Sequence, residues 1–317
     1  MSLVSNGVYR RPLPTVRQMT ELHQPVTIED AARPRSRVAA YIALTKPRII
    51  ELLLITTIPS MVLAAGGWPG TWLVVATLIG GTLSAGGANT LNMFYDRDID
   101  EVMRRTRSRP LARHEVAPRN AFVFGVVLGV LGFVWLWVFT TLLAALISTA
   151  ALLFYVLVYT RRLKRSTVQN IVIGGAAGAA PTLVGWAAVS GTVAVPAWVL
   201  FLVVFYWTPP HFWALALRYR DDYAAAGVPM LPVVAGVEAT TRRMLLYTGL
   251  MVGVSLLLVP LGGMSWIYLV AALVLGAWFL WDTWTVVRHP EQAMRLFTTS
   301  TIYLSALFAS VLLDVLL

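Results

Sequence analysis

Asn92, Asp96 and Asp100 recur every four residues in Asn89-Thr-Leu-Asn92-Met-Phe-Tyr-Asp96-Arg97-Asp98-Ile-Asp100. On an α-helix each step of four advances ~6 Å along the axis and drifts only ~40° around it. The spacing lines one amide and two carboxylates along one face, with Asn89 close to it and Asp98 pointing elsewhere. Hard oxygen donors in a row suit Mg2+, and the carboxylates repel one another unless a cation lies between them. Seven arginines follow within 23 residues, among them Arg104, Arg105, Arg107 and Arg109. Carboxylates beside guanidinium groups match a Mg2+–diphosphate, with the metal bridging acid to phosphate and arginine gripping the remaining oxygens bidentately. A solvated helix end laced by i,i+4 ion pairs has the same pattern, and spacing alone leaves both readings open.

A second constellation runs Trp207-Thr-Pro209-Pro210-His211-Phe-Trp213 and on to Arg218-Tyr-Arg220-Asp221-Asp222-Tyr223. Aligning Asp222 with Asp100 sets Arg218 opposite Asp96 and His211 opposite Asn89, a faint internal repeat of the kind transporters also carry. His211 follows two prolines expected to break its helix. An ionisable side chain within an apolar span is a functional candidate by default, as ligand, proton carrier or hydrogen-bond donor; packing against a neighbouring helix is the competing role. A third basic run, Arg161-Arg162-Leu-Lys164-Arg165, stands beside Thr167 and Asn170, and either grips phosphate or only sets topology.

The elements that must position these groups are membrane helices. Of 317 residues, 58% are hydrophobic and 13% charged, with mean hydropathy +0.71. About 25% charged is usual for a soluble domain, so a soluble globule is excluded, as are disorder and collagen. The absence of Cys excludes disulfide scaffolds, thiol catalysis, iron–sulfur clusters and Cys-bound zinc. Leu52–Tyr95, Asn120–Thr160, Ser166–Leu217 and Met244–Trp281 contain no Asp, Glu, Lys or Arg. Nine spans of about 20 residues are expected: Ile49–Gly66, Trp72–Leu91, Ala121–Phe139, Leu142–Tyr159, Ile171–Val189, Pro196–Leu217, Met244–Leu261, Trp266–Val286 and Leu296–Leu316. All 25 Lys and Arg fall on one side of this arrangement, which makes that side cytoplasmic, with the N-terminus inside and the C-terminus outside. Topology and anionic lipid headgroups then account for the net charge of +10, with no nucleic acid required. Residues 1–40, polar and acid-containing, are expected as a disordered cytoplasmic tail, and residues 41–317 as the transmembrane domain.

Asn-x-x-x-Asp-x-x-x-Asp after an apolar span resembles the intramembrane aromatic prenyltransferases of the UbiA-type superfamily. Thr45-Lys46-Pro47-Arg48, Arg105-Thr-Arg-Ser-Arg109-Pro-Leu111, Leu163-Lys164-Arg165, Asn170-Ile-Val-Ile-Gly174-Gly175, Trp207 to Trp213, and Asp222-Tyr223 with Ala226-Gly227-Val-Pro229-Met230-Leu231-Pro232 narrow the resemblance to the protohaem IX farnesyltransferase (haem O synthase) family. It runs from about Tyr41 to Gly236, with the last three spans fitting by hydropathy only. The resemblance implies an all-α, nine-helix bundle in a bacterial inner membrane, around a central cavity open to the cytoplasm. It implies farnesyl diphosphate with Mg2+ on Asn92, Asp96, Asp100 and Asp222 as the catalytic and metal set. Arg105 and Arg109 would clamp the diphosphate, with Lys164, Arg165 and Arg218 assisting. Haem B would be the acceptor, with His211 and Trp207 as candidate haem contacts and a haem O-consuming enzyme of terminal oxidase assembly as a partner. Arg218 departs from the wider superfamily, which carries paired acids in the second motif; this weighs against a full second metal site. Two other readings are a prenyltransferase for a quinone precursor of the 4-hydroxybenzoate type and a secondary transporter. Transport would call for polar residues along several spans, whereas the charges here gather at one face.

Overall fold

The computed structural model describes residues 35–317, and every regular element among them is helical. Without water to bond, an apolar run must satisfy its own backbone groups, and a helix does so within one segment. The helices are α1 (Arg37–Leu44), α2 (Pro47–Ala65), α3 (Thr71–Val102), α4 (Pro118–Phe139), α5 (Leu142–Leu153), α6 (Asn170–Ser190) and α7 (Val195–Arg218). Short α8 (Arg220–Ala225) and α9 (Leu231–Val234) precede α10 (Gly236–Leu256), α11 (Leu258–Gly262), α12 (Trp266–Arg288) and α13 (Ala293–Leu316). Eight helical stretches are long and apolar enough to cross a bilayer, while α2, which carries the first expected span, contributes the shorter apolar stretch Ile55–Ala65. The tail expected over 1–40 lies outside the described residues as far as residue 34; its last residues begin α1, capped by Ser36, whose hydroxyl accepts from the Ala39 amide.

Helices neighbouring in sequence pack side by side, and α13 closes the bundle by packing on both α7 and α2. The backbones of α3 and α4 approach closely. A Cβ at Gly87 would meet the Gly125 carbonyl oxygen at 2.7 Å and the Gly129 nitrogen at 2.8 Å. Small residues spaced along both helices let the backbones touch, the usual device where lipid removes the hydrophobic drive between helices. Large apolar side chains such as Val138, Val274 and Trp281 face outward. At the turn between α11 and α12, Asp314 of α13 accepts from the Ser265 amide (2.8 Å), the Tyr268 amide (3.0 Å) and the Ser265 hydroxyl, and so caps α12.

Two local expectations are corrected. Pro209 and Pro210 do not break their helix: α7 runs unbroken through both. Each removes one N–H, but the hydrogen bonds on either side persist, and membrane helices tolerate proline for that reason. The faint repeat also fails locally, because α3 continues through Asp100 to Val102 whereas α7 stops at Arg218 and Asp222 sits on the separate α8.

Candidate functional site

The long α3 delivers Asn89, Asn92, Asp96 and Asp100 to the bundle interior, all of them buried, while Asp98 points out. Asn89 donates to the Thr45 carbonyl at 2.9 Å and so holds the turn between α1 and α2. There Lys46 adopts φ 54°, a left-handed backbone that disfavours a side chain, just before Pro47 opens α2. The strained turn aims Lys46 at the site, where its ammonium donates to Asn92 Oδ1 at 2.7 Å. Burial, with the Arg109 charge adding to it, holds the Lys46 ammonium well below its usual pKa. An anion bound beside it would favour the charged form.

A second wall comes from a π-helical segment, Phe154–Leu163, that continues α5 into Lys164–Ser166. Its wider turn shows in Thr160, whose hydroxyl donates to the Tyr155 carbonyl five residues back (2.8 Å) and accepts from Asn92 Nδ2 at 3.0 Å. Such segments are rare and cluster at functional sites. This one leads directly to Lys164, whose ammonium reaches Asp96 Oδ2 at 2.5 Å, while Asn92 Nδ2 donates to the same oxygen at 2.8 Å. Arg165 forms a fork on Asp98, at 2.6 and 2.7 Å, and stays 3.9 Å from Asp96 Oδ1.

The loop after α3 folds back over the acids. Arg109 donates to both Asp100 oxygens at 2.8 Å. Arg105 lies over the Tyr219 ring at 5.8 Å, and Arg104 stands 3.6 Å from Asp222. Arg218 is exposed, and neither it nor Arg165 is among the residues lining the cavity.

A cavity of about 550 Å³ runs from this cluster into the bundle, within the usual range for small-ligand sites. At one end stand Lys46, Asn92, Arg105, Arg109 and Lys164. The cavity is also lined by small and apolar residues of α3, α5 and α6, including Ala85, Leu152 and Gly178, and by the aromatic group Trp207, His211 and Phe297. Cations line the mouth and the carboxylates stand behind them, so the cavity presents positive charge to an entering anion. The chain's two lysines, Lys46 and Lys164, both line it.

Among the described residues no three His, Asp or Glu side chains converge to hold a metal unaided. Two buried oxygens of this cluster, Asp96 Oδ1 and Asp222 Oδ2, nevertheless have no hydrogen-bond partner among the described residues. Mg2+ is commonly held by one or two carboxylates plus substrate phosphates rather than by an all-protein cage. The residues present therefore fit Mg2+ carried in with a diphosphate.

His211 stacks between Trp207 (ring centres 4.1 Å apart) and Phe297 (4.4 Å). Its Nδ1 lies 2.7 Å from the Ser300 hydroxyl, and Trp207 donates to the Ser300 carbonyl at 2.7 Å. Lys46, Thr160 and Ser300 were not among the site residues expected from sequence. Lysine's scarcity was a usable signal for Lys46. Nothing local marks Thr160, whose role depends on the π segment, or Ser300, 89 residues from His211.

An apolar helical bundle enclosing a cavity with cations at its wall and acids behind them defines an integral membrane protein with a site suited to an amphipathic anion. Residues 53–308 match the UbiA prenyltransferase family, and the chain belongs to that family. A protoheme IX farnesyltransferase from Clavibacter michiganensis subsp. michiganensis (strain NCPPB 382) is 53% identical over 286 residues, covering 89% of this chain and 94% of that protein. Another, from Nocardioides sp. (strain ATCC BAA-499 / JS614), is 54% identical over 299 residues, covering 92% and 95%. Among solved structures, a digeranylgeranylglyceryl phosphate synthase superposes with TM-score 0.73 at 19% identity, over 88% of this chain and 98% of that one. A UbiA homolog from Archaeoglobus fulgidus bound to DMAPP and Mg2+ superposes with TM-score 0.60 at 15% identity, over 86% and 98%.

Proposed function

We propose that this chain transfers the farnesyl group of farnesyl diphosphate to the 2-vinyl group of haem B, giving haem O and diphosphate. The observation that carries the reading is one cavity lined both by the cations Lys46, Lys164, Arg105 and Arg109 and by small and apolar residues, with His211 in its wall. The names of the relatives described above support it. Lys46, Lys164, Arg105 and Arg109 bind the diphosphate, and Asp96, Asp100 and Asp222, with Asn92, hold the Mg2+ that accompanies it. When bound, Mg2+ supplies Lewis-acid stabilisation of the charge that develops on the leaving diphosphate. The farnesyl C1–O bond breaks and its electron pair leaves with the diphosphate. The terminal vinyl carbon bonds to C1, and the cation left beside the macrocycle takes hydroxide from water, whose proton goes to the diphosphate. The residues around the apolar interior keep other water from the allylic cation. On this reading nine helices cross a bacterial inner membrane with the site and N-terminus cytoplasmic and the C-terminus outside. Haem O then passes to an enzyme of terminal oxidase assembly.

Mass spectrometry of haems extracted from a host lacking its own haem O synthase tests the reading. Expression of this chain is expected to yield haem bearing one hydroxyethylfarnesyl group. Unmodified haem B, with folded protein in the membrane, would replace haem with a small quinone precursor as acceptor.

A further inference from the structure

We propose that Ser300 is a positioning residue that locks His211 as an axial ligand to the acceptor's iron, an inference that rests on haem being the acceptor. The Ser300 hydroxyl has one hydrogen and two neighbours at 2.7 Å, the Phe297 carbonyl and His211 Nδ1. The carbonyl can only accept. With the serine proton committed to it, the serine oxygen accepts from the ring, and Nδ1 carries the imidazole hydrogen. The neutral ring then keeps a bare lone pair on Nε2.

The surroundings hold that lone pair in place. The ring is stacked between Trp207 and Phe297 with interplanar angles of 21° and 26°, which fixes its plane. Trp207 donates to the Ser300 carbonyl, tying α7 to α13 at this level. Nε2 has no hydrogen-bond partner among the described residues, and His211 lines the cavity. A bare Nε2 cannot donate to a propionate, so of the two haem contacts open to His211, binding iron is the one this geometry serves. Metal-bound histidines characteristically donate their other ring N–H to a fixed oxygen. An axial bond would set the height and plane of the macrocycle in the cavity, leaving rotation about that bond to other contacts.

The test uses the full chain in lipid nanodiscs, titrated with haem B and examined by absorption and by resonance Raman of the ferrous form. Farnesyl diphosphate binding, measured in parallel, reports that each variant is folded. The parent protein is expected to show an iron–histidine band. His211→Ala should lose it and regain it with added imidazole. Ser300→Ala should shift the band and weaken haem binding by roughly 10- to 100-fold, with Ser300→Thr restoring both. A band unchanged in His211→Ala would overturn iron ligation by this residue. A band and affinity unchanged in Ser300→Ala would overturn the positioning role. If Ser300→Ala fails to fold, Ser300→Thr decides, since a band and affinity unlike the parent's would count against the hydroxyl. Parent protein that binds the diphosphate but no haem would instead remove the acceptor reading itself.

Discussion

Lys164 and Asp96 form a buried pair whose two halves are unequal. Asp96 is 0% exposed, and Lys164 is 13% exposed and lines the cavity. Lys164→Met leaves the Asp96 carboxylate with the Asn92 amide at 2.8 Å and Arg165 no nearer than 3.9 Å. Stranding a buried charge costs about 3–5 kcal/mol; the remaining amide and Arg165 place the expected loss near the lower figure. Asp96→Asn instead leaves a lysine that can turn toward the cavity, and an amide that still accepts a hydrogen bond. Its cost should be about 1.5 kcal/mol, the lower end for losing a hydrogen bond to a charged group. In the double variant no charge is stranded, so Lys164→Met/Asp96→Asn should be more stable than Lys164→Met by about 1–2 kcal/mol, the gap between those two costs. Unfolding of ligand-free protein by SDS titration, followed by tryptophan fluorescence, measures all three in one double-mutant cycle. A double variant no more stable than Lys164→Met, or Asp96→Asn costing more than Lys164→Met, would refute the reasoning.

Arg109→Ala frees Asp100 and removes a cavity cation, so KM for the prenyl diphosphate should rise at least about tenfold in steady-state assays, the worth of one charge-assisted hydrogen bond. Chelation should abolish turnover and added Mg2+ restore it; activity that survives exhaustive chelation would remove the metal from the site. Gly87→Ala should destabilise by about 1–3 kcal/mol, because the new methyl meets backbone atoms of α4 that cannot turn aside. Gly249→Ala, with nothing within 4 Å, should be neutral or stabilise by up to about 1 kcal/mol, and the same SDS titration compares the two. Asp314→Ala should cost about 1 kcal/mol by uncapping α12 and leave kcat unchanged.

Helical periodicity is local, and so the sequence by itself determined much of this protein. The charge-free runs required helices in lipid, and the i,i+4 spacing put Asn92, Asp96 and Asp100 on one face with Asp98 turned away. The arginines that follow them made an anion site one of the two readings the spacing allowed. What the sequence left open is which cation meets which acid. Lys164 reaches Asp96 across 68 residues and Lys46 reaches Asn92 across 46. Those pairings depend on how far each helix is slid and rotated against its neighbour, and on the π segment that turns Thr160 and Lys164 toward α3. The same register leaves Arg218 exposed at the end of α7. It also brings Ser300 beneath His211 from a helix whose sequence carries no recognisable motif. Contacts between distant segments follow from packing the whole bundle, so only the tertiary structure decided them.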